Sequence, residues 1–366
     1  MTMNRLRQWE HGSDFNWPFF YPSQEALPSV SWKKCGQYYG SGRDALRALL
    51  LYGKKTRGWR RLWIPSYFCQ DVISSILLTG ITVKNYNDGP ELTEPDISHI
   101  SWQKGDVLMV VNYFGLRIKP SHSAKVPGKV ELIEDHTHDP FSGWARESLA
   151  NWCFASLRKT LPLGSGGILW SPARLPLPPA PSVSLERHVA SLEKNAAMLL
   201  KTLYLEGYPV EKDVFRRLQL SGEDHIASGT VSGMPEWEKM LIAMFPADLW
   251  RKQRHLNYLK FLKALKGTSW LRVLKPGPGT DACPFMCILK FDTKERRDFI
   301  YEHLISARIY PAILWPLEGV NLPGVRAEEK DFSRRMLAIH CDMRYSEDDM
   351  EKVASRIKQV GASYDE

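Results

Sequence analysis

The sequence contains no run of about eighteen apolar residues, so no helix is expected to cross a membrane. Its first thirty or so residues show no basic stretch followed by an apolar one, and we read the chain as cytoplasmic. Cysteine is scarce. Cys35, Cys69, Cys153, Cys283, Cys287 and Cys341 form no CxxC pair, which speaks against a zinc framework and for reduced, mostly buried thiols. The order GxxxxGK[ST] is missing. In "KTLPLGSGG" (159–167) the lysine precedes the glycines, so a nucleotide P-loop is excluded. No nucleic-acid motif and no internal repeat occur. The 49 Lys and Arg are scattered, and the net charge of +8 is assigned to solubility or to a small anion rather than to nucleic acid.

What is present is the composition of a globular protein, with 43% hydrophobic and 25% charged residues in 366, enough for a large core. Residues 1–30 are polar, aromatic and proline-containing, and read as an arm. "GSGRDALRALLLYG" predicts a turn and a helix with Ala45, Leu46, Leu49 and Leu50 on one face and Gly53 as its stop. "RLWIPSYF" and "ITVKNYN" predict strands around a helical "CQDVISSILLTG". "DVLMVVNYFG", "KVELIED", "ANWCFAS" and "GGILW" are further strands, the first apolar throughout as in a parallel strand buried on both faces. Alternating strands and helices indicate an α/β sheet, whose ligands sit at the carboxyl ends of the strands. Asn112, Tyr113, Asp135, Ser156 and Lys159 all fall at such ends.

"PARLPLPPAP" predicts a stiff connector. Leu185, Val189, Leu192, Ala196, Leu199 and Leu203 then follow a 4-3-4-3-4 spacing that predicts an amphipathic helix closed near Gly207. A second long helix is expected over roughly 235–266, with "RLQLSGEDHIASGTVSG" irregular between the two. The tail reads β-α-β-α through "PFMCILKF", "KERRDFIYEHLISA", "RMLAIHCD" and "SEDDMEKVASRIKQV", with Ser346 as N-cap and Asp349 three residues on.

Chemistry concentrates in two places. "ELIEDHTHD" puts Asp135 where a strand emerges, followed by His136, Thr137, His138 and Asp139. Two histidines alternating on an extended segment would face one way and suit a metal, but no third strong ligand set lies nearby in sequence, and no metal is assigned. Lys159 ends the next strand. An amine walled by apolar strands can lose its proton and act as a nucleophile, although lysine is ordinarily a solvated surface residue. "GSGRDAL" offers Gly40-Ser41-Gly42 at a helix start, whose bare N–H groups suit a phosphate, with Arg43 adding a bidentate contact. A phosphate at a helix start, an aldehyde on a lysine and a protonated ring nitrogen on an aspartate together describe pyridoxal phosphate, with Phe68 or Tyr67 to cover one ring face.

With those residues in place, the sequence resembles the DegT/DnrJ/StrS family of pyridoxal-phosphate-dependent sugar aminotransferases. "SGRDALRALLL" is similar to that family's SGT-x-AL segment, "LIEDHTHD" to its -IEDAAQ-, "FASLRKTLPLGSGGILW" to its lysine loop, and "WRKQRHLNYLKFLKAL" to its basic RR-x-NY-x-x-L helix. The resemblance covers about residues 36–366 and is thinnest over 207–240 and in the tail. It implies an aspartate aminotransferase-like (fold type I) large domain over 31–250, with a mostly parallel sheet flanked by helices, and a smaller α+β domain over 251–366. It also implies Lys159 as Schiff-base lysine, Asp135 as ring-nitrogen partner, Ser41 and Gly42 at the phosphate, and Phe68 against the ring.

Three positions depart from the family pattern. His138 replaces its glutamine near the ring hydroxyl, Arg43 its threonine, and Phe154 the serine five before the lysine, with Ser156 offered instead. The resemblance implies a homodimer whose partner subunit lends an asparagine, which "SGTVSGMPEW" does not let us place. The expected activity is amination of a keto group on a nucleotide-linked sugar with glutamate as donor. Sugar dehydration on the same fold, or a non-catalytic ligand-binding relic, are the alternatives. "ARIYPAILWPL" and Arg344 are candidate pocket residues, more simply read as core packing and a surface ion pair.

Overall fold

The computed structural model describes residues 6–18, 35–119, 126–227, 230–276, 281–318 and 324–364. The expected N-terminal arm therefore lies partly outside the described residues. Its described part includes a short strand, β1 (His11–Gly12).

Seven strands form the main sheet: β2 (Gln37–Tyr39), β3 (Arg61–Pro65), β4 (Thr82–Tyr86), β5 (Asp106–Val111), β6 (Glu131–Asp135), β7 (Trp152–Ser156) and β8 (Gly167–Trp170). Their order is β2-β8-β7-β6-β5-β3-β4. Neighbours from β7 to β4 are parallel, while β8 runs antiparallel to both β7 and β2. Every residue of β5 is buried, as its continuous apolar run predicts for a strand covered on both faces. Helices α1 (Gly42–Thr56), α2 (Gln70–Leu77) and the single turn α3 (Gly143–Arg146) follow strands in this half.

The next helices are α4 (Leu185–Leu205), α5 (Lys212–Ala227), α6 (Glu236–Met244) and α7 (Ala247–Ala264). Beyond them a second sheet is built from β9 (Leu271–Val273), β10 (Cys287–Phe291) and β12 (Met336–Ile339), antiparallel in the order β12-β10-β9. Helices α8 (Lys294–Ser306), α9 (Ala327–Arg335) and α10 (Glu347–Ala362) accompany it. Strand β11 (Ile309–Tyr310) pairs in parallel with β1, tying the arm to this half. Ser346 caps α10 in a reciprocal box with Asp349, as expected. Among the described residues no helix is long and apolar enough to cross a membrane, and Cys69, Cys153, Cys283, Cys287 and Cys341 are free thiols.

Four local expectations are corrected. Helix α1 runs past Gly53 to Thr56, because Gly53 is a packing residue: a Cβ there would stand 1.9 Å from the Trp59 ring. The long helix over 235–266 is two helices. Pro246 forces Phe245 into extended backbone (ψ 132°) and breaks the run. The segment read as irregular holds most of α5. Its Gly222 lets α5 lie close on α4, since a Cβ would meet the Lys194 stem at 2.5 Å. Finally, α4 is rotated relative to its leucine stripe. Leu185, Leu192 and Leu199 are 73%, 61% and 51% exposed, while Arg187, Asn195, Lys201 and Thr202 are buried. Those polar groups have partners: Arg187 with Asp44 at 2.8 Å, Asn195 with Glu238 at 2.9 Å, and Lys201 with the Asp14 carbonyl at 2.6 Å. Hydrogen-bonded polar groups can be buried at small cost, so helix packing overrode periodicity.

Three histidines, His11 and His138 buried and His340 partly so, should set the acid limit of the fold. Burial pushes His11, His138 and His340 each down to about 3. Their unfolded value is 6.5, so the unfolded chain binds more protons and stability is lost as pH falls from 6.5 towards 3. Between pH 7 and 5 the loss should be on the order of 1–2 kcal/mol per histidine. Denaturant midpoints at the two pH values check this, and equal midpoints would show that these rings are not buried neutral.

Candidate active site

Parallel strands deliver their carboxyl ends to one edge, and side chains at those ends converge on a cavity. It is lined by Ser41, Gly42, Arg43, Phe68, Asp135, His138, Ser156 and Lys159, whereas Tyr67, Asn112, Tyr113 and Arg344, also singled out from the sequence, do not line it. Cys69, Thr137, Phe154, Arg158, Glu223 and Trp315 complete most of the wall.

Asp135 is the last residue of β6. Its carboxylate accepts the Thr137 N–H at 2.9 Å, and Thr137 Oγ1 in turn accepts the Ser156 N–H at 3.1 Å, so the ends of β6 and β7 are pinned together. Burial raises the Asp135 carboxyl, against the opposing pull of the Thr137 hydrogen bonds. Lys159 closes a 3-10 turn directly after β7. Its side chain presents surface to the cavity while protein groups surround the amine. Burial and then Arg158 push this amine below its usual 10.5, with Glu223, Cys69 and Asp14 opposing. The glycine loop behind it is held by the buried Glu238 carboxylate, which accepts the Gly164 and Ser165 N–H groups at 2.8 and 3.0 Å.

Helix α1 begins at the cavity wall. The Ser41 hydroxyl is committed to capping: it accepts the Asp44 N–H at 3.1 Å and donates to the Asp44 carboxylate at 2.9 Å. What the helix start offers a ligand is its first-turn backbone N–H groups. Gly42 lies so near Ser156 that a Cβ would stand 2.8 Å from the serine Cβ. Arg43 approaches Glu223 at 3.8 Å, and the same carboxylate takes Arg158 at 2.6 Å and Lys194 at 3.1 Å. Arg158, then Lys194 and Lys159, hold Glu223 far below the usual carboxylate range.

The two histidines of "HTHD" part company, correcting the expectation that they face one way. The chain turns after β6 (Asp139 N–H to the His136 carbonyl, 3.1 Å) instead of staying extended. His136 goes to Glu134 at 3.0 Å and packs on Trp144 and Trp170. Glu134, His136 and Cys153 have ligand atoms within 4.8 Å of one another, but they are buried and joined to each other and to Ser148 by hydrogen bonds. His138 lies over the Phe285 ring (centroids 4.8 Å apart) and near Trp315 at 5.4 Å. Its Nδ1 accepts the Phe114 N–H at 3.1 Å, so the proton is assigned to Nε2 and the ring keeps one donor.

Glu223 was not assigned to the cavity from the sequence, and Trp315 only as part of the candidate pocket stretch "ARIYPAILWPL". Glu223 fell in the stretch read as irregular; the Val214–Leu218–Ile226 apolar spacing was its only helical signal. Trp315, from "ILWP", is both core and wall. It adopts φ 56° and packs on Phe68, Tyr113 and Phe114. Arg344 is not at the surface. It makes a bidentate pair with Asp342 at 2.7 and 2.8 Å, both side chains almost wholly buried.

A broader cavity of about 860 Å³ adjoins Lys159 and carries Arg158, Lys194, Lys212 and Arg216, with Tyr310, Leu314 and Trp315 also in its wall.

No family model matches the sequence, and no curated protein matches it by sequence. Solved structures do match by fold. PseC of Helicobacter pylori, an aminotransferase involved in pseudoaminic acid biosynthesis, is 12% identical over 90% of this chain and 87% of that one, with TM-score 0.62. A DegT DnrJ EryC1 StrS aminotransferase from Brucella abortus is 15% identical over 88% and 85%, with TM-score 0.59. Spr1654 of Streptococcus pneumoniae, in its PLP form, is 12% identical over 91% and 88%, with TM-score 0.63. The chain has the fold of these aminotransferases, with the mainly parallel sheet expected from its sequence.

Proposed function

We propose that the chain is a pyridoxal-phosphate-dependent aminotransferase of the DegT/DnrJ/StrS kind. It would convert a keto group to an amine on a nucleotide-linked sugar, with glutamate as donor. The observation that carries this reading is the convergence of Asp135, Lys159 and the start of α1 on one cavity.

These residues fit the coenzyme. A buried carboxylate, an amine with a lowered proton affinity and a helix start kept open by Gly42 match its ring nitrogen, its aldehyde and its phosphate. When bound, pyridoxal phosphate supplies an electron-accepting ring next to the reacting carbon. Asp135 would hold the proton on the ring nitrogen. Lys159 Nζ would be the attaching amine and, once released, would move a proton as general base and then acid. Phe68 would cover a ring face, and His138 would offer its Nε2–H on the hydroxyl side. The first-turn N–H groups of α1 and Ser156 would take the phosphate, with Arg43 as counter-charge. In the broader cavity Glu223 and Glu10 only partly offset Arg158, Lys194, Lys212 and Arg216, and the remaining positive excess suits a diphosphate. Titrating the protein with pyridoxal phosphate and then glutamate tests the reading. A visible band that glutamate bleaches, with release of 2-oxoglutarate, is expected; no band would overturn it.

Two variants probe the parts. Gly42→Ala should weaken coenzyme affinity at least about tenfold, because the new methyl must displace Ser156 from the helix start. Unchanged affinity would move the phosphate elsewhere. A homodimer belongs to this proposal, and the exposed leucines of α4 supply an apolar face for it. The pair Leu192→Asp and Leu199→Asp should shift sedimentation from dimer to monomer. An unaltered dimer would take α4 out of the interface.

A further inference from the structure

Glu223 reaches the cavity of Asp135 and Lys159 from α5, inside the stretch where the family resemblance is thinnest. Its two oxygens accept from Arg158 at 2.6 and 2.9 Å, and one of them also takes Lys194 at 3.1 Å. Arg43 stands 3.8 Å away. Arg43 is the second residue of α1, the helix whose start would take the coenzyme phosphate. Both guanidinium groups of this wall therefore already face an anion, and a carboxylate offers a guanidinium the same pair of oxygens that a phosphate does.

The charge of the wall is balanced with Glu223 in it. Arg43, Arg158 and Lys159 stand against Asp71, Asp135 and Glu223. The ring nitrogen and the aldehyde would engage Asp135 and Lys159, which leaves Arg43 and Arg158 against Asp71 and Glu223. Behind this wall Arg187 is matched by Asp44 at 2.8 Å, and Lys194 is shared by Glu223 and Asp14, the latter at 3.5 Å. A dianion brought to the start of α1 thus meets no surplus of positive charge, and Glu223 repels it.

The carboxylate can give way. Its side chain is 42% exposed, and it has a second anchor in Lys194, which lines the broader cavity and not this one. A rotation towards Lys194 would release Arg43 and Arg158 together. Only 10% of the Arg158 side chain is exposed, so once released it needs another anion.

We infer that Glu223 is an internal stand-in for the coenzyme phosphate: its carboxylate holds Arg43 and Arg158 until the phosphate takes them, and so competes with coenzyme binding. The inference rests on the pyridoxal-phosphate reading, and the two fail separately.

The test compares pyridoxal phosphate with pyridoxal, which has the same ring and aldehyde and no phosphate, by titrating the visible band of the full chain. The ratio of the two affinities cancels any effect on the Lys159 amine, which Glu223 also influences. In Glu223→Gln this ratio should rise at least about tenfold in favour of pyridoxal phosphate, because the competing charge is gone. Glu223→Ala should do the same if the amide variant does not fold. Inorganic phosphate, followed by phosphorus NMR on the chain without coenzyme, should also bind the variants at least about tenfold more tightly than wild type. An unchanged ratio overturns the inference. So does a ratio that falls, since Glu223 would then be holding the two arginines in place for the phosphate. Absence of a visible band with either compound instead removes the pyridoxal-phosphate reading. Inorganic phosphate then decides on Glu223 alone, and equal binding by wild type and variants rejects its role.

Discussion

Lys159→Ala is expected to abolish the visible absorbance of the coenzyme-loaded protein and to lower the glutamate half-reaction by at least about 10⁴-fold. Both the attaching amine and the proton carrier are lost at once, and general acid–base catalysis by itself commonly contributes 10²–10⁴. The fold should survive. Lys159 follows β7 in a turn at the cavity wall and forms no ion pair among the described residues, so stability should move by no more than about 0.5 kcal/mol. Pyridoxal phosphate should still bind without covalent attachment, because the start of α1 and Asp135 are untouched. In wild type without coenzyme, attachment of pyridoxal phosphate should speed up as pH rises through a midpoint below the usual lysine value of 10.5, since burial and Arg158 disfavour the charged amine. Absorbance spectra and single-turnover rates measure all of this. An intact visible band in the alanine variant would assign the lysine elsewhere.

Asp135→Asn should reduce the same half-reaction by about 10³-fold, equivalent to about 4 kcal/mol. Asparagine can still accept the Thr137 N–H that Asp135 accepts at 2.9 Å, so the β6–β7 junction should hold. What disappears is the negative charge that keeps the ring nitrogen protonated, and with it the ring's capacity to draw electrons from the reacting carbon. Coenzyme should remain attached to Lys159, with its spectrum shifted and its rate low. Asp135→Glu should recover little, because the longer acid would carry its carboxylate into the cavity space that the coenzyme ring is to occupy. A wild-type rate in Asp135→Asn would remove the residue from the chemistry.

The strands and the residues at their carboxyl ends were legible because each is a local signal. The all-apolar "VLMVV" can only be buried, and "ELIED" or "WCFAS" ends where polarity returns. Once parallel pairing is assumed, Asp135, Ser156 and Lys159 must share an edge. Helix packing was not legible. The 4-3-4-3-4 leucines of α4 predict a buried stripe, yet α5 and the arm take the opposite face, where Arg187, Asn195, Lys201 and Thr202 find partners. Glu223 and Trp315 reach the cavity from segments separated from Lys159 by 64 and 156 residues, counted from their positions. The parting of His136 and His138 depends on a turn that no spacing rule reports.

From the sequence by itself came the parallel sheet, the aspartate and lysine on its carboxyl edge and the helix start beside them, because strand periodicity and strand ends are properties of contiguous residues. Only the tertiary structure decided which face of α4 is buried, that Glu223 collects Arg43, Arg158 and Lys194, and that the buried Gln219 amide is left without a hydrogen-bond partner. Those outcomes turn on which distant groups can satisfy a buried charge or amide, and that is fixed only when the whole chain has packed.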